Sequence, residues 1–445
     1  MSEIPPFLLD ALQFQNARME TVRKVSDAEW ERVLSNWYVV RLTLPLREVC
    51  GDELPAWVCE RIDMFLADNT LRFERIKNTY SRAAEALREA GTEHVVIKGF
   101  SLSPGYTEHP KFRPQSDIDL YSPPETVFRA RDALLSLGYG SSHSGPWSSD
   151  HLPPLVRPNS WAWRENYFDP EIPIAFELHF CWWDNATNHI HPEGLEEFWP
   201  RRVKMAVDDF SFPALEPVDN LAYTALNLLR NLLRHFPATE QVYGLAHFLH
   251  TRANDRSFWQ RWRLLHPDSL RRLEAISFYL ASEWFACRLP DEVQEEVNRL
   301  APTVNEWFRH FSSSTRSTQF ARTGDGVWLH LALLDSHADK FAVLFQRIAP
   351  LPIRVPAIPP FIGGPVTEYP ITKKCISRFV HAARKSIQFT KWCVSRIVYH
   401  YAPLPRTLWR GLAYQLSRKS LGRQFGSFLV RIWRPGNERS GRPSP

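Results

Sequence analysis

Apolar and polar positions along the chain change period several times, and the changes mark out its parts. Over residues 6–90 apolar side chains recur at helical spacing, as in Ile62, Phe65, Leu66, Phe73 and Ile76, and strong helix formers fill 82–90. This predicts a helical leader over residues 1–90 that stops at Gly91. The β-branched run His94-Val-Val-Ile-Lys98 reads as a first buried strand. A helix-like stretch at 100–106, a loop with Pro110 and Pro114, and a second strand at 117–122 follow. Pro123-Pro124 then opens a helix over 125–137 that Gly138 ends. Aromatic and β-branched residues alternate with polar ones at 161–168 and again at 172–182, which predicts two strands joined at Asp169-Pro170. These elements form an α/β unit over 91–210.

After Pro217 the pattern turns helical, with segments near 218–236, 239–252, 267–287, 291–312 and 325–347, so 211–349 reads as a helical domain. Seven prolines from Pro350 to Pro370, with Gly363-Gly364 among them, make 350–370 a linker. Beyond it, 371–445 holds amphipathic stretches such as Ile376, Phe379, Val380, Ala383 and Ile387 on one helical face. The fold class expected is α+β, and the chain shows no internal repeat.

Composition changes this picture in four places. With 44% apolar and 23% charged residues the chain of 445 residues can bury a core. The start, Met-Ser-Glu-Ile-Pro-Pro, lacks the basic and apolar runs of a secretory signal, and no long window is free of charge. The expected location is therefore cytoplasmic. Six cysteines without Cys-x-x-Cys spacing fit reduced thiols and argue against a zinc site. The net charge of +5 hides a division, because residues 371–445 carry sixteen basic side chains against Glu438, while the remainder carries 38 basic and 48 acidic ones. That tail suits an anionic membrane surface, which would make the protein peripheral there, or RNA, an acidic partner or its own acidic body.

The candidate chemistry lies in Ser116-Asp117-Ile118-Asp119-Leu120. Two carboxylates two residues apart on a strand point to one face and can share a metal ion. Phosphoryl transfer from a nucleoside triphosphate uses such an arrangement with two Mg²⁺ ions, which take oxygen ligands from carboxylates and phosphates. Upstream, Lys98-Gly99 closes a strand and opens a helical turn, where backbone N–H groups and a cation can receive phosphate. Downstream, Glu177 and His179 share one face of another strand. Glu177 is the natural third carboxylate, and His179 reads as a histidine that orients one of the others.

Taken together, Val96-Ile-Lys-Gly99, Phe112-Arg-Pro-Gln-Ser-Asp-Ile-Asp-Leu120 and Glu177-Leu-His179 resemble an uncharacterised nucleotidyltransferase family of the DNA polymerase β superfamily. The resemblance covers roughly residues 10–255. It implies a polymerase β-like core with flanking helices and metal-binding, catalytic roles for Asp117, Asp119 and Glu177. It also implies a phosphate-side role for Lys98 and Gly99, and a supporting or substrate role for Arg113; Ser116 is placed with these on the nucleotide side. Better studied relatives have Gly-Ser or Gly-Gly where this chain has Lys98-Gly99-Phe100, so the phosphate loop is built differently. Where a Trp-x-x-x-Asp-like element is expected, the chain reads Tyr243-Gly-Leu-Ala-His247.

The function expected is transfer of a nucleoside monophosphate from an NTP, ATP by default, to a hydroxyl of an unknown acceptor, a small molecule or a protein. The alternative is a non-catalytic protein that binds nucleotide or a partner and works through its basic tail. No nucleophile elbow, P-loop or Gly-x-Gly-x-x-Gly points to another enzyme class.

Overall fold

A computed structural model describes residues 4–141, 150–234, 238–317, 324–348, 407–412 and 414. The chain begins with helices α1 (Pro6–Ala11), α2 (Asp27–Leu34), α3 (Trp37–Val40) and α4 (Thr43–Cys50), and then α5 (Ala56–Glu89). Helix α5 buries Val58, Ile62, Phe65, Asn69, Phe73, Ile76, Tyr80, Ala83 and Leu87, a spacing that keeps one face inward for its whole length. It ends where Gly91 takes φ +62°, with the N–H of Thr92 on the carbonyl of Leu87 and that of Gly91 on Arg88. This is a Schellman cap, which needs a left-handed residue at the glycine.

Among the described residues seven strands follow: β1 (Val95–Ile97), β2 (Asp117–Tyr121), β3 (Gly140–Ser141), β4 (Leu155–Val156), β5 (Ala175–His179), β6 (Val203–Val207) and β7 (Phe210–Ala214). They form one mixed sheet in the order β3-β4-β5-β2-β1-β7-β6, with α6 (Val127–Ser136) and the short α7 (Asn185–Asn188) in the connections. In the centre β2 runs parallel to β5 and antiparallel to β1. The remaining elements among the described residues up to 348 are helices: α8 (Pro217–Leu233), α9 (Thr239–Thr251), α10 (Arg256–Leu265), α11 (Asp268–Phe285), α12 (Asp291–Asn298), α13 (Pro302–Ser317), α14 (Gly326–Leu333) and α15 (His337–Ile348).

Two apolar cores result. One side of the sheet packs Ile118, Leu120, Phe176 and Leu178 against α6 and the second half of α5. The other core joins the early helices and the first half of α5 to α8 and the later helices, and it takes in Ile97 and Tyr121 from the sheet. Helix α5 therefore spans both.

Several elements differ from the sequence reading. No strand forms at 161–168, and the second expected strand shortens to β5. The aromatic alternation there serves a loop instead. The indole of Trp161 donates to Asp169 (2.9 Å), and Trp163 packs edgewise near Trp161 and is 48% exposed. The chain is held not by a ladder but by the buried Arg72 guanidinium, which donates to the carbonyls of Ile172 (2.8 Å) and Gln115 (2.6 Å). The hairpin of β6 and β7 and helix α10 are additions that the pattern does not announce. Pro302 splits the expected 291–312 helix, and residues 334–336 interrupt the one at 325–347.

The 350–370 linker and most of the 371–445 tail lie outside the described residues. The part that is described docks on the body. Residues 407–412 are helical, Arg410 grips the buried Asp325 with two bonds of 2.7 and 2.8 Å, and Tyr414 is buried against His310 and Phe311.

Candidate active site

Strand alternation places Asp117 and Asp119 on the face of β2 away from Ile118 and Leu120, and likewise Glu177 and His179 on β5. The parallel register then sets Asp119 beside Glu177 and Tyr121 beside His179. Ligand atoms of Asp119, Glu177 and His179 all lie within 4.8 Å of one another. The Nε2 of His179 is 3.0 Å from Asp119 Oδ1 and 3.8 Å from Glu177 Oε2. Because a carboxylate accepts, the contact with Asp119 is one in which Nε2 donates, while Nδ1 is buried without a hydrogen-bond partner among the described residues.

Lys98 follows β1 and takes φ +61°, a backbone conformation rare outside glycine. The kink turns the chain into the 3-10 turn at Gly99–Leu102, and the ammonium sits 2.7 Å from Asp119 Oδ1. Gly99 takes φ +53°, which favours glycine; the far end of the Gln115 side chain fills the space its Cβ would occupy, at 2.2 Å, and Gln115 in turn donates to the carbonyl of Asp117 (2.6 Å). Ser116 is exposed just before β2, its carbonyl held by Arg72 (3.3 Å). Arg113 lines a cavity of about 50 Å³ together with Arg41, Glu240, Phe112, Tyr243 and His247. The Tyr243–His247 element noted in the sequence thus shares a wall with Arg113.

The electrostatics separate the two aspartates. Burial opposes ionisation of Asp119, but Lys98 and His179 outweigh it and hold that carboxyl well below the usual range. Among the described residues Asp117 has no such partner at bonding distance. Burial, then Asp119 and Glu177, push its carboxyl up to about 7, against the pull of Lys98 and Arg113. Burial is the largest single influence on the Lys98 ammonium and lowers it, but the charge and hydrogen bond of Asp119 together with Tyr223 outweigh it, so it is held above its ordinary value. Burial also draws Arg113 down, with Arg41 adding to the effect and Glu240, Asp117 and Asp119 opposing it.

Several further residues of the site carry no motif in the sequence. Asp150 and His151 bring ligand atoms within 4.8 Å of His179, but Asp150 is engaged by His151 (2.8 Å) and by Arg230 of α8. These partners, led by the His151 bond, overcome burial and hold Asp150 below the usual carboxylate range. Arg230, in the apolar run Leu-Asn-Leu-Leu-Arg-Asn-Leu-Leu, is the one signal of this cluster in the sequence: a charge amid leucines needs a buried partner. Nothing in the local sequence marks Arg72.

An α+β fold with carboxylates and a lysine converging on two central strands defines a class of phosphoryl-transfer candidates, and the family match agrees with it. Residues 28–286, more than half of the chain, match the family described as uncharacterised nucleotidyltransferase, and the protein belongs to that family. A general role in nucleotidyl transfer, with a nucleotide as substrate, goes with that membership. No curated protein and no solved structure matches the chain. Among the described residues no helix is long and apolar enough to cross a membrane.

Proposed function

We propose that the protein is a Mg²⁺-dependent nucleotidyltransferase with a polymerase β-like core, which moves a nucleoside monophosphate from an NTP, ATP by default, to an acceptor hydroxyl. The observation that carries this reading is the pairing of Asp119 with Glu177 on adjacent parallel strands, with Asp117 on the same face. The donor set fits a hard divalent ion. Burial first, and then repulsion from Asp119 and Glu177, push the Asp117 carboxyl up to about 7, and a cation relieves that repulsion.

Asp117, Asp119 and Glu177 would hold two Mg²⁺ ions, which supply activation of the acceptor oxygen and charge neutralisation at the phosphates. The chain's own groups do the rest. Lys98 holds positive charge at the end of β1, and its turn at Gly99 offers backbone to phosphate oxygens. Arg113 adds a second cation, Ser116 a hydroxyl, and His179 fixes the orientation of the Asp119 carboxylate. The test is incubation of the purified protein with labelled NTPs, Mg²⁺ and cell extract. An acceptor that gains label with wild type and not with Asp119→Asn supports the reading; no labelled acceptor with any NTP overturns it.

For the tail, the favoured contact is an anionic membrane surface, because Arg410 and Tyr414 face the body while Leu408 and Leu412 stay more than half exposed. Co-sedimentation with anionic vesicles, at low and high salt, checks it.

A further inference from the structure

Behind the sheet, α5 and the loop before β5 border an open groove of about 330 Å³ lined by Arg75, Tyr139, Arg157, Trp161, Arg164 and Glu171. It continues into a second space of about 260 Å³ that adds Asn78 and Arg82. Tyr139 and Ile174, which line the first space, belong to the same core as Ile118, Leu120 and Phe176. Those residues alternate with Asp117, Asp119 and Glu177, so the groove lies on the opposite face from the carboxylates.

Its charge is unbalanced. Four arginines face the two joined spaces against a single acid, Glu171. Arg75 approaches Glu171 only to 3.5 Å, and among the described residues its Nη1 is buried without a hydrogen bond; Arg164 approaches Asp169 only to 3.9 Å. Among the described residues Arg82 and Arg157 have no carboxylate partner, and Arg157 lies 4.7 Å above the Tyr139 ring. Clustered guanidinium groups repel one another unless an anion joins them, and their forks match phosphate oxygens. Beside them stand flat rings: Trp161, fixed through its bond to Asp169, and the exposed Trp163.

We propose that this groove binds single-stranded nucleic acid, with phosphodiester oxygens on Arg75, Arg82 and Arg157 and a base stacked on Trp161. Two joined, open spaces with cations along both suit a run of phosphates better than one enclosed anion. Indole faces next to arginines suit bases, whereas an acidic peptide would leave them unused.

The test titrates the full-length chain with a fluorescein-labelled oligouridylate carrying 4-thiouridine, read by anisotropy, by photo-crosslinking and by peptide mapping. Crosslinks are expected on the peptides that hold Tyr139 or Trp161. Arg82→Gln with Arg157→Gln should lower the salt dependence, as log affinity against log salt, by about 1.4, or roughly 0.7 for each phosphate left without its cation on a single strand. Both side chains are exposed, so the fold should survive. Trp161→Ala should weaken binding at least about fivefold with the salt slope unchanged. Crosslinks confined to residues 371–445, absence of binding, or an unchanged slope in the double variant would overturn the proposal. Displacement of the oligonucleotide from these peptides by poly-glutamate at equal charge would overturn it too, in favour of an acidic peptide. The mapping uses wild-type protein and decides the matter even where a variant misfolds.

Discussion

The ammonium of Lys98 lies 2.7 Å from Asp119 Oδ1, so the cation at the end of β1 neutralises the most buried of the three candidate metal-binding carboxylates. Lys98→Met should destabilise the protein by about 3 kcal/mol, because it strips a partner from a buried charge, and should also suppress transfer. Chemical denaturation beside an activity assay measures both. A variant as stable as wild type would mean that His179 alone suffices for Asp119.

Asp117 is the opposite case, since its neighbours destabilise its charge. Asp117→Asn should reduce nucleotidyl transfer by at least about 100-fold, the upper end of what losing a group that merely supports a metal ligand costs. In metal-free buffer it should melt no lower than wild type, because a repelled charge has been removed. Activity near wild type would remove Asp117 from the site.

Arg72 holds the loop on which Asp117 is mounted, through the carbonyls of Gln115, Ser116 and Ile172. Arg72→Met should cost about 3 kcal/mol in unfolding experiments, as several buried acceptors lose a charged donor at once. Arg72→Lys should recover only part of this, since one ammonium cannot span the same carbonyls.

A pH dependence of stability is built into the helical region. His266 is fully buried between Glu274 (3.1 Å) and Asp219 (3.3 Å), and Asp219 also takes two bonds from Arg201. Burial disfavours the imidazolium, but Glu274 and Asp219 outweigh it and raise the group from 6.5 to about 9. A raised histidine contributes its full stabilisation below the unfolded value, near 6.5, and loses it as pH climbs through 9. At about 1.4 kcal/mol per unit this amounts to up to about 3 kcal/mol. Denaturation midpoints should fall between pH 6.5 and 9 in wild type and change less in His266→Gln.

The docked part of the tail is testable in the same way. Arg410→Ala should lower stability by about 3 kcal/mol, because Asp325 is buried and Arg410 meets it with two bonds. An unchanged melting temperature would show that the segment at 407–414 contributes nothing to the helical body.

Much of this site is legible in the sequence alone. The spacing of Ile62, Phe65, Phe73 and Ile76 defines the inward face of α5, and alternation alone puts Asp117 with Asp119 and Glu177 with His179. Both follow from local geometry, since 3.6-residue and two-residue periods are properties of the backbone itself. Local geometry misleads at 161–168, where alternating aromatics line a loop organised by a distant arginine. What the sequence by itself determined, then, is which side chains share a face of a strand or helix. That β5 lies parallel beside β2 in the register that sets Asp119 against Glu177, that Lys98 turns toward Asp119, and that Asp150 and Arg230 close the site behind His179 were decided by the tertiary structure. The reason is physical: parity along a strand is fixed by bonds a few residues long, whereas neighbours across the sheet are chosen by core packing and ladder bonds between residues far apart in the chain.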